Sequence, residues 1–202
     1  YLQTVGGVYA VLLAFVVFVV WTQFNEARAQ LASEANEVVD LFRIAKGFPD
    51  SMRVPLQDRL RRYAEAVLGD EWAAMAHCVP HGTDEASQML DEAWDVLKAF
   101  ETGSDCHVTL YGEALSRFND LSDLRTARLT SARTRIPFAL RLLLYFGAVI
   151  LVGSMWLFAV DSLLVHALIT SAMAGAISHV LYLIEDLDAA FSGNFQISRE
   201  PF

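Results

Sequence analysis

The chain has 202 residues, of which 54% are hydrophobic, and it carries a formal net charge of −9 at pH 7. So high an apolar content is unusual for a soluble domain and is typical of a small polytopic membrane protein. The acidic balance, without a basic stripe that carries interleaved aromatic residues, argues against nucleic acid as a partner. The chain begins at Tyr1 rather than at a methionine, which leaves open whether an N-terminal helix precedes it.

The first predicted helix covers 4–45, and its front half is continuously apolar. No charged residue occurs between Tyr1 and Asn25. A run of about 20 residues at about 1.5 Å per residue reaches roughly 30 Å, which is the thickness of the hydrocarbon core of a bilayer. We therefore predict a transmembrane helix over 4–24, with Trp21 at the interface.

The same helix is predicted to continue outside the membrane to about residue 45. Neither glycine nor proline occurs between Asn25 and Gly47, and apolar residues recur at intervals of three and four, as in a heptad seam. The sequence therefore predicts one continuous rod that leaves the bilayer and joins a helical body in water.

A helical extramembrane domain is predicted over 46–135. Its helices are expected at 55–68, 71–76, 84–100 and 108–135, with loops or turns at 79–82 and 102–105. Pro55 is expected in the first turn of its helix. The pair Gly69-Asp70 is expected to interrupt the helical chain.

Two more membrane spans are predicted, at 136–160 and 163–184, with a hairpin at Asp161-Ser162 between them and a tail over 185–202. Arg141 lies near the start of the second span, where its long side chain can reach the interface. The predicted fold class is therefore all-α: a polytopic membrane protein with three transmembrane helices and a helical extramembrane domain.

The distribution of arginine predicts the orientation. Arginines crowd the start of the second span, whereas the hairpin that follows it has neither lysine nor arginine. The positive-inside rule then places the middle domain and the C-terminal tail in the cytoplasm.

Three carboxylates, Glu185, Asp186 and Asp188, lie at the end of the third span. The C-terminus of a helix favours cations, so these acids need compensation. Pairing with the arginines between Arg125 and Arg135 is the preferred interpretation, and a bound divalent cation is the alternative.

A second group of charged residues is predicted to surround the mouth of a pore. Rings of charged side chains at a pore mouth select ions, and arginines there concentrate anions. Ion pairs between helices, without a role in transport, are the alternative interpretation. The group consists of Glu26, Arg28, Glu34, Arg125, Arg128 and Arg135.

Five residues of the middle domain have donor atoms suited to zinc, namely His77, Cys78, His81, Cys106 and His107. Their spacing matches no strong zinc template, so ordinary loop residues are the preferred interpretation and a metal site is the alternative. The sequence contains no nucleophile elbow, phosphate loop or triad spacing, and we predict no enzymatic activity.

Several short motifs occur in a characteristic order along nearly the whole chain. They are Gly7-x-Tyr9, Trp21, Glu26-Ala27-Arg28, Glu34-Ala35, Tyr63, Glu71-Trp72, Arg125-x-x-Arg128, Ile136-Pro137 and Asp188-x-x-Phe191-x-Gly193. This order resembles the bestrophin-like family of bacterial membrane proteins, which is also catalogued as a domain of unknown function. In place of the proline that the family commonly has before the final phenylalanine, this chain has Ala190.

The resemblance implies kinship with bestrophins, which are oligomeric anion channels gated by calcium on the cytosolic side. It makes 4–24 the candidate pore helix, places the acids of 185–188 where a cation clasp would lie, and implies a bacterial cytoplasmic membrane. The leading prediction is an oligomeric, anion-conducting ion channel, with cation gating left open. The alternatives are an accessory subunit of a larger membrane complex and a metal- or redox-sensing membrane protein.

Overall fold

The computed structural model describes residues 2–77, 84–100, 105–157 and 162–202. Within these ranges the regular structure is entirely helical, which confirms the predicted fold class. The predicted loop at 79–82, residues 102–104 of the predicted turn, and Asp161 lie outside the described residues.

The described residues form α-helices with short turns of other helical types. The α-helices are α1 (Leu2–Ile44), α2 (Asp50–Ala66), α3 (Trp72–Ala76), α4 (Asp84–Lys98), α5 (Asp105–Arg133), α6 (Phe138–Ser154) and α7 (Leu163–Asp188). A π-helical turn, Val67–Glu71, connects α2 to α3, and 3₁₀ turns follow α1 and α6 at Ala45–Gly47 and Met155–Leu157.

Helix α1 runs without interruption through Asn25, as its lack of internal glycine and proline after that residue predicts. It ends in the 3₁₀ turn. Phe48 follows with an extended backbone, and Pro49 is the N-cap residue of α2. Helix α7 is one turn longer than predicted and includes the acids up to Asp188.

The start of α2 differs from the prediction, because Asp50 and Ser51 are helical rather than part of a loop. The carbonyl oxygen of Pro49 accepts hydrogen bonds from the backbone N–H groups of Met52 (3.0 Å) and Arg53 (2.8 Å). Asp50 is acidic in the first turn, where it complements the helix dipole. Pro55 therefore lies inside the helix rather than in its first turn, at the cost of one backbone hydrogen bond.

The predicted interruption at Gly69-Asp70 was wrong. The chain stays helical there, and the backbone N–H of Trp72 donates to the carbonyl oxygens of Gly69 and Val67. A π turn contains more residues per turn than an α-helix, so it takes up the glycine and aspartate without breaking the helix. It also makes Glu71 the last residue of the turn, where its side chain is buried.

The chain divides into two compact units. The first comprises 1–24 and 135–195, and the second comprises 25–134 and 196–202.

The first unit contains the membrane-spanning helices. Three helical stretches, Gln3–Gly47, Val108–Leu157 and Leu163–Asp188, are long and apolar enough to cross a bilayer by length and composition. The apolar parts of the first two lie in the front half of α1 and in α6. The protein is therefore an integral membrane protein.

The three spanning helices share a small buried cluster. Val16 and Val20 of α1, Leu144 of α6, and Leu181 and Ile184 of α7 all belong to it. The Tyr9 hydroxyl donates a hydrogen bond to the Leu144 carbonyl oxygen at 2.9 Å, which ties α1 to α6. Close van der Waals packing of this kind holds helices together where lipid removes the hydrophobic drive.

The second unit has a larger core that is built mainly between α2 and α4, with contributions from α1 and α5. Its fully buried leucines are Leu41, Leu56, Leu60, Leu97 and Leu121. Each buried side chain of this size contributes about 1.5–3 kcal/mol by leaving water. The end of the chain joins this unit, where Ile197 is buried and the Arg199 guanidinium lies 5.3 Å from the centre of the Trp72 ring.

Gly147 is required for the contact between α1 and α6. A Cβ added at Gly147 would overlap the Tyr9 ring, whereas a Cβ at Gly153, also on α6, meets no atom within 4 Å. We expect Gly147→Ala to lower the free energy of unfolding by about 1–3 kcal/mol through overpacking. Gly153→Ala is the control and should not destabilise. Thermal unfolding in detergent micelles measures both, and equal midpoints for the two variants would contradict the packing argument.

Candidate functional site

The most densely charged buried site of the described chain centres on Arg128 in the second unit. Arg128, Glu34 and Glu71 each have 0% of their surface exposed. Isolated ions at such positions would cost several kcal/mol each in lost hydration. Their stability therefore depends on how completely they pair with one another.

Arg128 uses its whole guanidinium group. Its Nε lies 2.5 Å from Glu34 Oε2, and its Nη2 donates to Glu34 Oε1 at 3.0 Å and to Glu71 Oε2 at 2.7 Å. Its Nη1 lies 3.0 Å from the Met75 sulfur. The two-pronged contact with Glu34 is the geometry in which arginine and carboxylate pair most strongly.

Two more side chains complete this cluster. Arg125 Nη2 donates to Glu71 Oε1 at 2.6 Å and to Ser87 Oγ at 3.0 Å. The Tyr63 hydroxyl, also fully buried, donates to Glu34 Oε1. The cluster thus contains two guanidinium groups and two carboxylates, so its formal charges balance. We call Glu34, Tyr63, Glu71, Arg125 and Arg128 the arginine network.

The members of the arginine network come from four separate elements. Glu34 lies on α1, Tyr63 on α2, and Glu71 at the end of the π turn. Arg125 and Arg128 are three residues apart on α5, so both side chains project from one face of that helix. Since each carboxylate is held by donors from another element, the network fixes the register of these elements within the second unit.

The environment shifts two ionisation equilibria in the network. Burial, followed by the negative charge of Glu34, raises the pKa of the Tyr63 hydroxyl well above its usual value of 10.0. Burial alone would lower the pKa of Arg128, but the hydrogen bonds and charge of Glu34 outweigh it, so the pKa is raised above its usual value. Arg128 therefore remains cationic, and Tyr63 remains a neutral donor.

The structure does not bring the six residues predicted for a charged pore mouth into one group. Glu34, Arg125 and Arg128 meet in the arginine network, whereas Glu26 and Arg28 are exposed on α1. Arg135 belongs to the first unit, where its guanidinium donates to the Asp188 carbonyl oxygen. The role of these residues at a pore mouth stays a prediction.

Tyr63 and Glu71 belong to the arginine network although neither was predicted as a site residue from the sequence, where both occur within short motifs. A signal was present in α1, because Glu34 follows Leu31 by three residues and precedes Val38 by four. That spacing places Glu34 on the apolar face of the helix, where an acid requires a buried partner.

The acidic end of α7 has internal partners in the first unit. Asp188 accepts hydrogen bonds from the backbone N–H of Ile136 at 2.9 Å and from Arg141 Nη2 at 3.0 Å. Glu185 Oε1 lies 3.0 Å from Arg141 Nε. Arginine pairing is thus present, but the charged partner is Arg141, which lies beyond the arginines between Arg125 and Arg135 that the sequence analysis named.

Asp186 closes a turn after α7. Its carboxylate accepts the backbone N–H groups of Asn194 (2.9 Å) and Phe195 (3.0 Å). Gly193 has φ +95°, and a Cβ there would overlap the Asp186 carboxylate. The backbone conformation and the close approach both require glycine at this position.

The acids of this turn do not fit a divalent cation in the described arrangement. Asp186 and Asp188 are buried with their oxygens already accepting N–H groups, and Glu185 faces Arg141. In the part of the chain that is described, no three His, Cys, Asp or Glu residues form a group that could hold a metal ion. A bound cation stays a prediction.

The alternative metal set cannot be assembled from the described side chains. His77 is exposed at the C-terminal end of α3. Cys78 and His81, and the side chains of Cys106 and His107, lie outside the described residues.

Comparison with known proteins gives a family match and matches to solved structures. The model of a family described as the bestrophin-like domain matches residues 1–202. Two structures of a bacterial bestrophin homologue from Klebsiella pneumoniae, each with one mutation, match with a TM-score of 0.77 at 15% identity, covering 98% of this chain and 81% of that chain. A third variant matches with a TM-score of 0.75 at 16% identity, covering 98% and 82%. At that identity the likeness shows a shared fold. No curated protein matches in sequence.

Removing one member of the arginine network should leave a buried charge without its partner. We expect Arg128→Met to lower the free energy of unfolding by about 3–5 kcal/mol. Arg117→Met is the matched control, because Arg117 is half-buried and pairs with Glu37 and Glu113 near the surface. Its loss should be much less destabilising, because ion pairs near the surface contribute little to stability.

Chemical denaturation in detergent micelles measures both variants. The double variant Arg128→Met with Glu34→Gln should recover much of the loss, because Glu34 then carries no charge. If Arg128→Met were no more harmful than the control, the network would not hold this unit together.

The raised pKa of Tyr63 predicts a loss of stability at high pH. Above the usual tyrosine pKa of 10.0, the unfolded chain releases this proton while the folded chain retains it, so the free energy of unfolding falls as pH rises. Tyr63→Phe should be the less stable protein at neutral pH, because it lacks the hydrogen bond to Glu34. The gap between the two proteins should narrow above pH 10. A gap that is constant with pH would show that Tyr63 titrates as it does in water.

Proposed function

Because this chain belongs to the bestrophin-like domain family, we propose that it forms an oligomeric ion channel that conducts anions. In this proposal copies of α1 surround the pore and the second unit lies in the cytoplasm. The fold shared with a bacterial bestrophin homologue and the three apolar helices support it. The observation that carries it is a stripe of large apolar side chains on α1 that no other part of the described protomer covers.

The stripe lies on one side of α1. Val8, Val11, Phe15 and Phe18 are 68%, 71%, 62% and 65% exposed, and they recur every three or four residues. Val16, on the other side of the same helix, is 1% exposed within the cluster of α1, α6 and α7. One face of α1 is therefore used inside the protomer, and the other is free for symmetry-related copies.

In this proposal the exposed apolar residues of α6 and α7 contact lipid. The stripe on α1 differs because polar residues follow it on the same side of the helix. Beyond Phe18 this side of α1 carries smaller and mostly polar residues. Thr22 is partly exposed, and Asn25, Ala29, Ser33 and Asn36 are exposed. An apolar constriction followed by a polar wall suits a water-filled pathway. Hydrophobic constrictions of this kind gate channels by excluding water.

The arginine network has a supporting role in this proposal. Glu34 is fully used by Arg128 and Tyr63, so no carboxylate at that position faces permeating ions. Arg125 and Arg128 are likewise neutralised by carboxylates. The attraction of anions therefore falls to exposed cations of α1, of which Arg28 is the first after the apolar stripe. Since the acids of 185–188 already have partners, we do not place a cation gate there.

Reconstitution into liposomes tests the channel directly. A chloride gradient should produce flux above that of empty vesicles, and the reversal potential should follow chloride rather than the cation. Arg28→Glu should shift the reversal potential towards cations. Absence of flux, with and without calcium, would overturn the proposal, and co-purification with unrelated subunits in fixed ratio would instead favour the accessory role.

The apolar stripe predicts how the constriction responds to mutation. Phe18→Ala should widen and wet the pore, raising chloride flux by roughly threefold or more if a hydrophobic constriction limits it. Phe146→Ala is the matched control, because Phe146 is a phenylalanine of similar exposure on α6. An equal effect of both substitutions on flux would show that α1 does not line the pathway.

A further inference from the structure

A groove in the second unit combines an apolar floor with a positively charged rim. It lies between α1 and α2 and has a volume of about 380 Å³. Val39, Phe42 and Leu60 contribute to its floor, and Arg43, Lys46 and Arg61 are the charged residues of its lining. No acidic side chain lines it.

The cations of this rim are weakly neutralised. Arg43 pairs with Asp40 at 3.2 Å, and Arg61 pairs with Asp58 at 3.1 Å and with Glu65 at 3.7 Å. Both arginines are mostly exposed. Exposed pairs of this kind contribute little and are readily exchanged for other partners. Lys46 makes no ion pair within the described residues. The groove therefore presents three cations around an apolar floor, of which Lys46 is unpaired among the residues described and the two arginines are held only by exposed, exchangeable pairs.

Another face of the same unit has the opposite character. Trp94 on α4 is 40% exposed, although its ring packs against that of Phe118 on α5, with 5.4 Å between the ring centres. Asp91 and Asp95 flank it, are exposed, and make no ion pair with a described residue. Lys98 follows one turn later, so this short face has a net formal charge of −1 with its aspartates beside the tryptophan.

We propose that the face formed by Asp91, Trp94 and Asp95 of one protomer docks in the α1–α2 groove of a neighbouring copy. This inference rests on the proposed oligomeric channel and names the contact that would hold its subunits together. A ring of identical subunits needs two different, complementary faces on each subunit. An exposed tryptophan beside acids and an apolar groove rimmed with cations form such a pair.

The proposed contact combines a buried aromatic side chain with complementary charges around it. Large aromatic side chains that enter a pocket carry much of the energy of protein interfaces. Complementary charges around the anchor fix its register and exclude wrong partners. The apolar floor of the groove would receive the Trp94 ring, and Lys46 and Arg61 would meet Asp91 and Asp95.

Two other occupants fit less well. Arg43 follows Phe24, the last residue of the apolar run, by about 30 Å of continuous helix, so an anionic lipid headgroup is a less suitable occupant. A free acidic protein would be repelled by a chain whose net charge is −9. A second copy has the same net charge, but it presents the complementary face in a fixed position within the oligomer.

Disulfide trapping tests the contact in the intact protein. In a background with Cys78→Ser and Cys106→Ser, the pair Val39→Cys and Asp95→Cys should give covalent dimers and higher multimers on a denaturing gel after mild oxidation. The control pair, Val39→Cys with Asp70→Cys, replaces another exposed aspartate and should remain monomeric on the gel. Equal cross-linking of both pairs, or of neither, would overturn the contact.

Charge exchange provides an independent test. Lys46→Glu with Arg61→Glu should raise the fraction of dissociated protomer in native mass spectrometry by about tenfold, since each tenfold corresponds to about 1.4 kcal/mol. Asp91→Lys with Asp95→Lys should do the same, and the four substitutions together should restore the oligomer. Failure of the combined variant to recover, while both double variants dissociate, would show that the two faces do not meet.

The outcomes separate the interface from the channel. A monomeric wild-type protein would overturn both proposals. If the oligomer is unchanged by the exchanged charges, only the interface is overturned. The interface is also overturned if the wild-type protein binds anionic phosphatidylglycerol vesicles and the Lys46→Glu, Arg61→Glu variant loses that binding while its oligomer is unchanged. An oligomer that responds as expected but carries no ion flux would retain the interface and remove the channel.

Discussion

The buried guanidinium of Arg128 is the constraint on which the second unit depends. A cation without access to water must find its full complement of acceptors in the folded chain, because an unmatched charge costs several kcal/mol. Glu34 and Glu71 provide those acceptors from elements that are far apart in sequence. A change in the position of α1, the π turn or α5 would therefore separate a charge from its partner, and a change in α2 would break the hydrogen bond from Tyr63 to Glu34.

Such a network does not need to add net stability to be useful. Replacing a buried ionic cluster with well-packed apolar side chains is often neutral or stabilising. What apolar residues lack is direction, since they pack acceptably in several registers. The hydrogen bonds that Glu34 receives from Arg128 and Tyr63 form in only one register of α1 against α5 and α2. Because α1 is one continuous helix, this register also fixes the positions of Arg28 and of the groove residues on α1 within the second unit.

Much of the fold followed from patterns that extend over many residues. The uninterrupted α1 and the apolar α6 and α7 were predictable because length and periodicity reinforce each other over several turns. The errors occurred where a single local interaction decides the outcome. The Pro49 carbonyl starts α2 early, and the π turn carries Gly69 and Asp70 through what was expected to be a break.

The candidate site was predictable only in part, for a related reason. Its charged members on α1 and α5 could be identified from motifs, but Glu34 and Arg128 are 94 residues apart, and no periodicity relates them. The acids at the end of α7 show the same limit. Their positions at a helix terminus indicated that compensation was needed, but only the structure identifies Arg141 and three backbone N–H groups as its source.

The π turn between α2 and α3 has an evolutionary consequence. Each residue turns an α-helix by about 100°, so deleting one residue there would rotate everything that follows by that amount. Glu71 and Trp72 would then leave the interior together. Although Gly69 and Asp70 are exposed and their identities are free to vary, the number of residues between Ala66 and Trp72 is not, and related sequences should align there without gaps.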